Sequence, residues 1–148
     1  MFTNFHHASY LVPVLDDAIR SYAETFGGQE TGRGMVAGLG EVGFVQVGEV
    51  EVEFIQPKDA GVLQGEALPV LHHVAYAVED LDQVVADYKS RGYRFATEEP
   101  LTNFMGYRLI YLDAAHTHGT RVHLTDAATL RSRRESQHSM AETKGLRC

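Results

Sequence analysis

The chain has 148 residues, 44% of them apolar, which suits one compact domain or two half-size units around a shared core. A formal charge of −7 and a pI near 5.5 remove the general attraction to phosphate backbones, so nucleic-acid binding is not expected. The only cysteine is Cys148, which excludes a disulfide framework and a thiolate cluster, so any metal must use nitrogen and oxygen ligands. The start, "MFTNFHHASY", lacks a basic segment leading into an apolar core, and no apolar run reaches membrane-spanning length. The expectation is a soluble cytoplasmic protein with no membrane partner.

In chain order, the first predicted element is a strand over 5–12, then a helix with the acidic opening "LDD" and the stop Gly27-Gly28. Ile19, Tyr22, Ala23 and Phe26 recur at helical spacing. Strands follow at about 30–37, 42–47 ("VGFVQV") and 50–56 ("VEVEFIQ"), separated by glycine turns. The segment "PKDAGVLQGEALP" is rich in turn formers and reads as a linker. Beyond it the plan repeats: a strand over 71–78, a helix carrying Leu81, Val84, Val85 and Tyr88 that stops at Gly92, and strands at about 93–97, 107–113 and 120–125. From residue 128 the chain is polar and mixed in charge, and partial disorder is expected.

The repetition is visible residue by residue. At an offset of 66, His6, His7, Tyr10, Val12, Leu15, Asp16 and Tyr22 meet identical residues, seven matches in seventeen positions without a gap. A period that long implies two copies of one β-α-β-β-β unit rather than a solenoid, one over about 4–57 and one over about 70–127, within a domain over 1–127. The fold class is α+β, with a sheet-lined cleft between the units.

Strand alternation then selects a site. His7 and His73 are equivalent positions, and Glu53 and His123 correspond in the last strand of each copy at an offset of 70. Three imidazoles and a carboxylate at paired places suit one divalent metal ion, with Zn, Fe, Ni, Mn and Co all admissible. Alternation sends His6 and His72 to the opposite face, where helix packing or support of the ligands is expected. His116 and His118, in "AAHTHG", are expected on a surface hairpin loop.

"HHASY", "YAETFG", "VEFIQP", "LHHVAY" and "GYRLIYLD…GTRVHL" give residues 4–126 a resemblance to the vicinal oxygen chelate superfamily, which includes glyoxalase I, extradiol dioxygenases and fosfomycin-resistance proteins. Within it the chain is most similar to methylmalonyl-CoA epimerases. The resemblance implies a glyoxalase-like fold and metal ligands at His7, Glu53, His73 and His123. It also implies a glutamate, used in proton transfer, where this chain has His123, and a further glutamate at about Gly43. Both are replaced here, which counts against methylmalonyl-CoA as the substrate.

Glu51, two residues before Glu53, shares its face and is the candidate base, with a place at the solvent-exposed mouth as the alternative. His123 is the other candidate for proton transfer. Arg121 shares the face of His123, and its guanidinium fork suits a substrate carboxylate or phosphate. Asn103, Tyr107 and Tyr111 are candidate substrate contacts, with plain packing the alternative for the tyrosines. The function expected is a metal-dependent isomerase, epimerase or lyase that passes through an enolate of a small, oxygen-chelating, anionic substrate. The alternatives are an Fe(II) ring-cleaving dioxygenase and a non-catalytic resistance protein that sequesters small molecules. A homodimer formed through exposed sheet edges is expected.

Overall fold

The computed structural model describes residues 1–131 and Glu135. The first half runs β1 (Phe2–Leu11), α1 (Leu15–Phe26), β2 (Gln29–Val36), β3 (Gly40–Val47) and β4 (Val50–Pro57). The second runs β5 (Val70–Val78), α2 (Leu81–Ser90), β6 (Leu101–Thr102), β7 (Arg108–Tyr111) and β8 (Val122–Asp126). The β-α-β-β-β order therefore occurs twice. All eight strands form one curled sheet in the order β2-β3-β4-β1-β5-β8-β7-β6.

Within each half the first strand lies parallel to the last, β1 with β4 and β5 with β8, and the halves join where β1 and β5 pair antiparallel. One chain thus builds the whole cleft. The join also occupies the edges of β1 and β5, which leaves β2 and β6 at the ends of the sheet.

The helices form where capping and periodicity agree. The first turn of α1 carries Asp16 and Asp17, which suit the positive end of the helix dipole. It ends on Gly27, whose left-handed φ of 66° lets its N–H reach back to Ala23. The Asp80 side chain caps α2 by accepting the Gln83 N–H at 2.9 Å. Each helix covers the outer face of its own half. Leu15 joins Val12, Val45 and Phe54, while Leu81, Val84 and Val85 join Val78, Ile110 and Leu124.

One sequence expectation needs correction. The strand expected over 93–97 is reduced to a single bridge, Phe95 to Leu112, and the edge strand is the two-residue β6. The "AAHTHG" segment lies, as expected, in the loop that joins the antiparallel β7 and β8, where Ala114–His116 form a short 3-10 turn and His116 Nε2 accepts the Arg94 N–H at 3.1 Å. Residues 127–131 are helical, with Ala127 and Leu130 buried beside Met105 and Tyr107. Apart from Glu135, the rest of the expected tail lies outside the described residues.

Candidate metal centre

Register explains why four distant residues meet. Across one row of the sheet, Glu53 on β4 neighbours Ser9 on β1, which neighbours His73 on β5. Across the next, His7 on β1 neighbours Ala75 on β5, which neighbours His123 on β8. Ser9 and Ala75 are equivalent positions of the repeat. Both are small and wholly buried, so they form a floor over which the four larger side chains converge.

Ligand-type atoms of His7, His73 and His123 all lie within 4.8 Å of one another. His7 Nε2 is 3.1 Å from His73 Nε2. Glu53 Oε2 is 3.1 Å from His73 Nε2 and 3.8 Å from His7 Nε2. The carboxylate therefore faces two of the three imidazoles directly.

The other ring nitrogens are engaged elsewhere. His7 Nδ1 lies 2.6 Å from His6 Nδ1, His73 Nδ1 lies 2.8 Å from His72 Nδ1, and His123 Nδ1 lies 2.9 Å from the Thr125 hydroxyl. Such contacts fix ring orientation and leave the opposite nitrogen for a ligand. Burial, reinforced by His123, His6 and His73, holds His7 well below the ordinary imidazole pKa. Burial, then His73 and His6, do the same for His123. Both rings are therefore neutral, the form that binds a metal.

The placement of His6 and His72 corrects the alternation argument. Between β1 and β5 the register slips at His6 and again at His72, each an extra residue opposite a continuous partner strand. A bulge of this kind turns two successive side chains toward the same face. His6 and His72 therefore sit inside the cleft, beside the neighbouring histidine.

The bulged histidines then reach different partners. His6 Nε2 lies 3.4 Å from Glu51 Oε2. Glu51 is 4% exposed, so it lies in the interior rather than at the mouth. Its Oε2 accepts the Tyr107 hydroxyl at 2.9 Å and its Oε1 accepts the Thr31 hydroxyl at 3.0 Å. His72 Nε2 instead accepts from the Arg121 guanidinium at 2.8 Å. Burial, His73 and Arg121 lower the His72 pKa to about 4, with Glu53 opposing, consistent with an unprotonated acceptor nitrogen.

Tyr107 is buried, and its ring packs edge-on against His6 and Phe44. Asn103 Oδ1 accepts the backbone N–H groups of Met105 and Tyr107, so it shapes the turn that delivers Tyr107. Tyr111 stacks edge-on with His73 and His123, and burial and Glu53 raise its pKa, with Arg121 opposing. Arg121 is exposed and lines two adjoining cavities of about 480 and 590 Å³ together with Leu39 and His72. Sequence reasoning missed Thr31 and Thr125. The only available signal was their place two residues from, or across the sheet from, the selected side chains.

A metal fits these residues on an internal observation. Glu53 Oε2 and Ser9 Oγ are buried with no hydrogen-bond partner among the described residues, and the first points at two imidazole nitrogens. An orphaned buried carboxylate oxygen is costly unless a cation meets it. The 3.1 Å separations also match neighbouring ligands on one ion, since bonds of about 2.1 Å at right angles put ligand atoms ~3 Å apart.

A model of the Glyoxalase/Bleomycin resistance protein/Dioxygenase superfamily matches residues 6–111. The chain belongs to that superfamily. Among curated relatives, human mitochondrial methylmalonyl-CoA epimerase is 28% identical over 128 residues, covering 82% of this chain and 73% of the relative. The mouse mitochondrial methylmalonyl-CoA epimerase is also 28% identical, over 131 residues, covering 82% and 72%. Among solved structures, methylmalonyl-CoA epimerase from Mycobacterium tuberculosis superposes with a TM-score of 0.75 at 21% identity, covering 84% of this chain and 88% of that one. A methylmalonyl-CoA epimerase in complex with methylmalonyl-CoA and NH4+ gives 0.74 at 22%, covering 87% and 98%. The glyoxalase-like fold of the superfamily is thus present, and no helix among the described residues is long and apolar enough to cross a membrane.

Gly43 has a structural place in this superfamily member. A Cβ there would meet Ile19 Cδ1 at 2.9 Å and Leu15 Cδ1 at 3.2 Å, so the position faces α1 rather than the cleft. Its neighbour Phe44 faces inward instead, against His7.

Proposed function

We propose that this chain is a metal-dependent isomerase, of epimerase or related lyase type, acting on a small substrate that offers two neighbouring oxygens. The observation that carries this reading is the meeting of His7, His73, His123 and the orphaned Glu53 oxygen over one small-residue floor. These four would hold one divalent ion, for which Zn, Fe, Ni, Mn and Co are chemically admissible. When bound, such an ion supplies positive charge that stabilises an enolate.

The remaining work falls to the chain's own groups. His6, His72 and Thr125 hold the three imidazoles in orientation. Glu51 is the base, positioned by Tyr107 and Thr31 in a buried pocket where a carboxylate can take a proton without competition from bulk water. The names of the curated relatives support epimerase-type chemistry. His123, in place of the glutamate expected from the resemblance, argues for a substrate other than methylmalonyl-CoA.

The test is solvent deuterium exchange into 2-oxo acids and acyl thioesters by protein stripped of metal and then reloaded. Exchange that needs metal and is lost in Glu51→Gln, with metal content unchanged, supports the reading. Oxygen uptake with catechols would place the chain with ring-cleaving dioxygenases instead, and tight ligand binding without turnover would make it a sequestering protein. We further propose a homodimer. Since the β1 and β5 edges are used within the chain, support comes from exposed Phe2, Phe5 and Tyr76 on the outer face of the seam. A monomer at micromolar concentration in light scattering rejects it.

A further inference from the structure

The repeat places equivalent residues at the two ends of the cleft, and there the chain has made them opposite in charge. Glu51 and Arg121 each lie two residues before a candidate ligand, and each contacts the bulged histidine of its own half. Glu51 is sealed in, with hydroxyl donors on both oxygens. Arg121 is open to solvent at the junction of the two cavities. The open end of the site is therefore the Arg121 end, and the closed end is the Glu51 end.

Arg121 also differs from the other arginines. Among the described residues, Arg20, Arg33, Arg91, Arg94, Arg108 and Arg131 each pair with at least one carboxylate, and Arg121 pairs with none. One Nη1–H is donated to His72 Nε2, which anchors the guanidinium at the mouth while the rest of its fork has no acceptor among the described residues. Lys58 lines the second cavity a short way along, as does Asp59, whose Oδ1 accepts the Gly61 N–H, while Asp113 in the first cavity is paired with Arg94. An arginine with no carboxylate partner among the described residues, beside the site proposed to hold a divalent cation, is arranged to receive an anion.

We infer that Arg121 is a specificity residue that recognises a second acidic group of the substrate, a carboxylate or phosphate separate from the two oxygens that chelate the metal, with Lys58 adding to the field along the second cavity. This rests on the metal reading above and adds the substrate class: an oxygen-chelating compound with an acidic group carried outward from the reacting centre. The opposite signs at the two ends also fix which way round it binds. A substrate bound in reverse would set its acidic group against Glu51.

The test uses three probes on Zn(II)-loaded protein by calorimetry. 2-Oxobutyrate chelates through its keto acid and has no further charge, 2-oxoglutarate adds a carboxylate, and 3-phosphonopyruvate adds a phosphonate. The expected result is at least ~10-fold tighter binding of one or both charged probes than of 2-oxobutyrate, lost in Arg121→Gln and partly kept in Arg121→Lys. The readout is the ratio of charged-probe to 2-oxobutyrate affinity within each protein, so any effect passed to the metal through the Arg121–His72 contact cancels. The better charged probe reports whether the group is carboxylate-like or phosphate-like. Equal binding of all three by the unaltered protein, or a preference that survives Arg121→Gln, overturns the inference and leaves the metal reading intact. Failure of the protein to take up Zn(II) overturns both.

Discussion

The two halves of the sheet follow one backbone plan and differ in what they place at equivalent points. His7 and His73 are the same residue because both face the shared centre from either side of the seam. Away from the seam the pairs diverge: Glu53 against His123, Phe44 against Tyr111, Ile55 against Thr125, Glu51 against Arg121. Those residues face opposite ends of the cleft, where the proposed function would hold a substrate that is not itself two-fold symmetric. Duplication explains where the side chains are. Divergence explains what they can do.

The strongest way to break this comparison is at the centre. His7→Ala and His73→Ala should each weaken Zn(II) binding by at least ~100-fold, and by similar factors, since the proposed site uses them equivalently. Glu53→Ala and His123→Ala should also lower metal content in purified protein with the circular dichroism spectrum unchanged. Full occupancy in His123→Ala would remove that residue from the coordination sphere and break the proposed symmetry of four.

Acid should strike the same place in metal-free protein. Burial holds the folded-state pKa of His7 and His123 well below the unfolded value of about 6.5, so the unfolded chain binds more protons just below that pH. Stability is then complete above about pH 6.5 and falls as pH drops toward the folded values, by about 1.4 kcal/mol per pH unit for each excluded proton. Thermal melts of stripped protein at pH 7 and pH 5 check the sign. A melting temperature that does not fall at pH 5 would mean the imidazoles are not held neutral.

One step outward, His6→Ala and His72→Ala should each cost ~10–100-fold in metal affinity, because each removes the partner that orients a ligand. Chelator competition measures both. A loss at only one would show that the two bulges are not functionally equivalent. These bulges also mark the limit of what the sequence disclosed. The repeat, both helices and the paired positions of His7, Glu53, His73 and His123 were legible because periodicity and an internal duplicate carry them. The inward turn of His6 and His72 was not, because strict alternation assumes an unbroken ladder, and only the doubled "HH" in both copies hinted otherwise. Strand 93–97 was over-read because its apolar Tyr93 and Phe95 pack beside Tyr88 rather than extend a ladder. The Tyr107 to Glu51 hydrogen bond joins residues 56 positions apart, a distance no local pattern spans.

That bond tests the acidic end by itself. Tyr107→Phe removes the donor to a buried carboxylate oxygen and should destabilise the fold by about 1–3 kcal/mol in urea unfolding, leaving metal affinity nearly unchanged. Tyr111→Phe in the basic half should cost less, since its hydroxyl lies 3.5 Å from His73 Nδ1, at the edge of hydrogen-bonding range. Equal costs would deny that the buried carboxylate makes the first half the more demanding one.

The smallest expected effect lies where the halves differ by one hydroxyl. Thr125 holds His123 Nδ1 at 2.9 Å, whereas the equivalent residue beside Glu53 is Ile55, which offers no polar group. An imidazole has two nitrogens, and the choice between them must be enforced by a neighbour. A carboxylate has two equivalent oxygens and needs no such guide. Thr125→Val keeps the shape and deletes only the guide, so metal affinity should fall by roughly 10-fold, the low end for an orienting partner, with the fold retained. Thr125→Ser keeps the hydroxyl and should restore most of the affinity, which separates hydrogen bonding from packing. If Thr125→Val binds Zn(II) as tightly as the unaltered protein, packing against His7, His73 and Tyr111 is enough to orient His123, and the hydroxyl is not what distinguishes the second half.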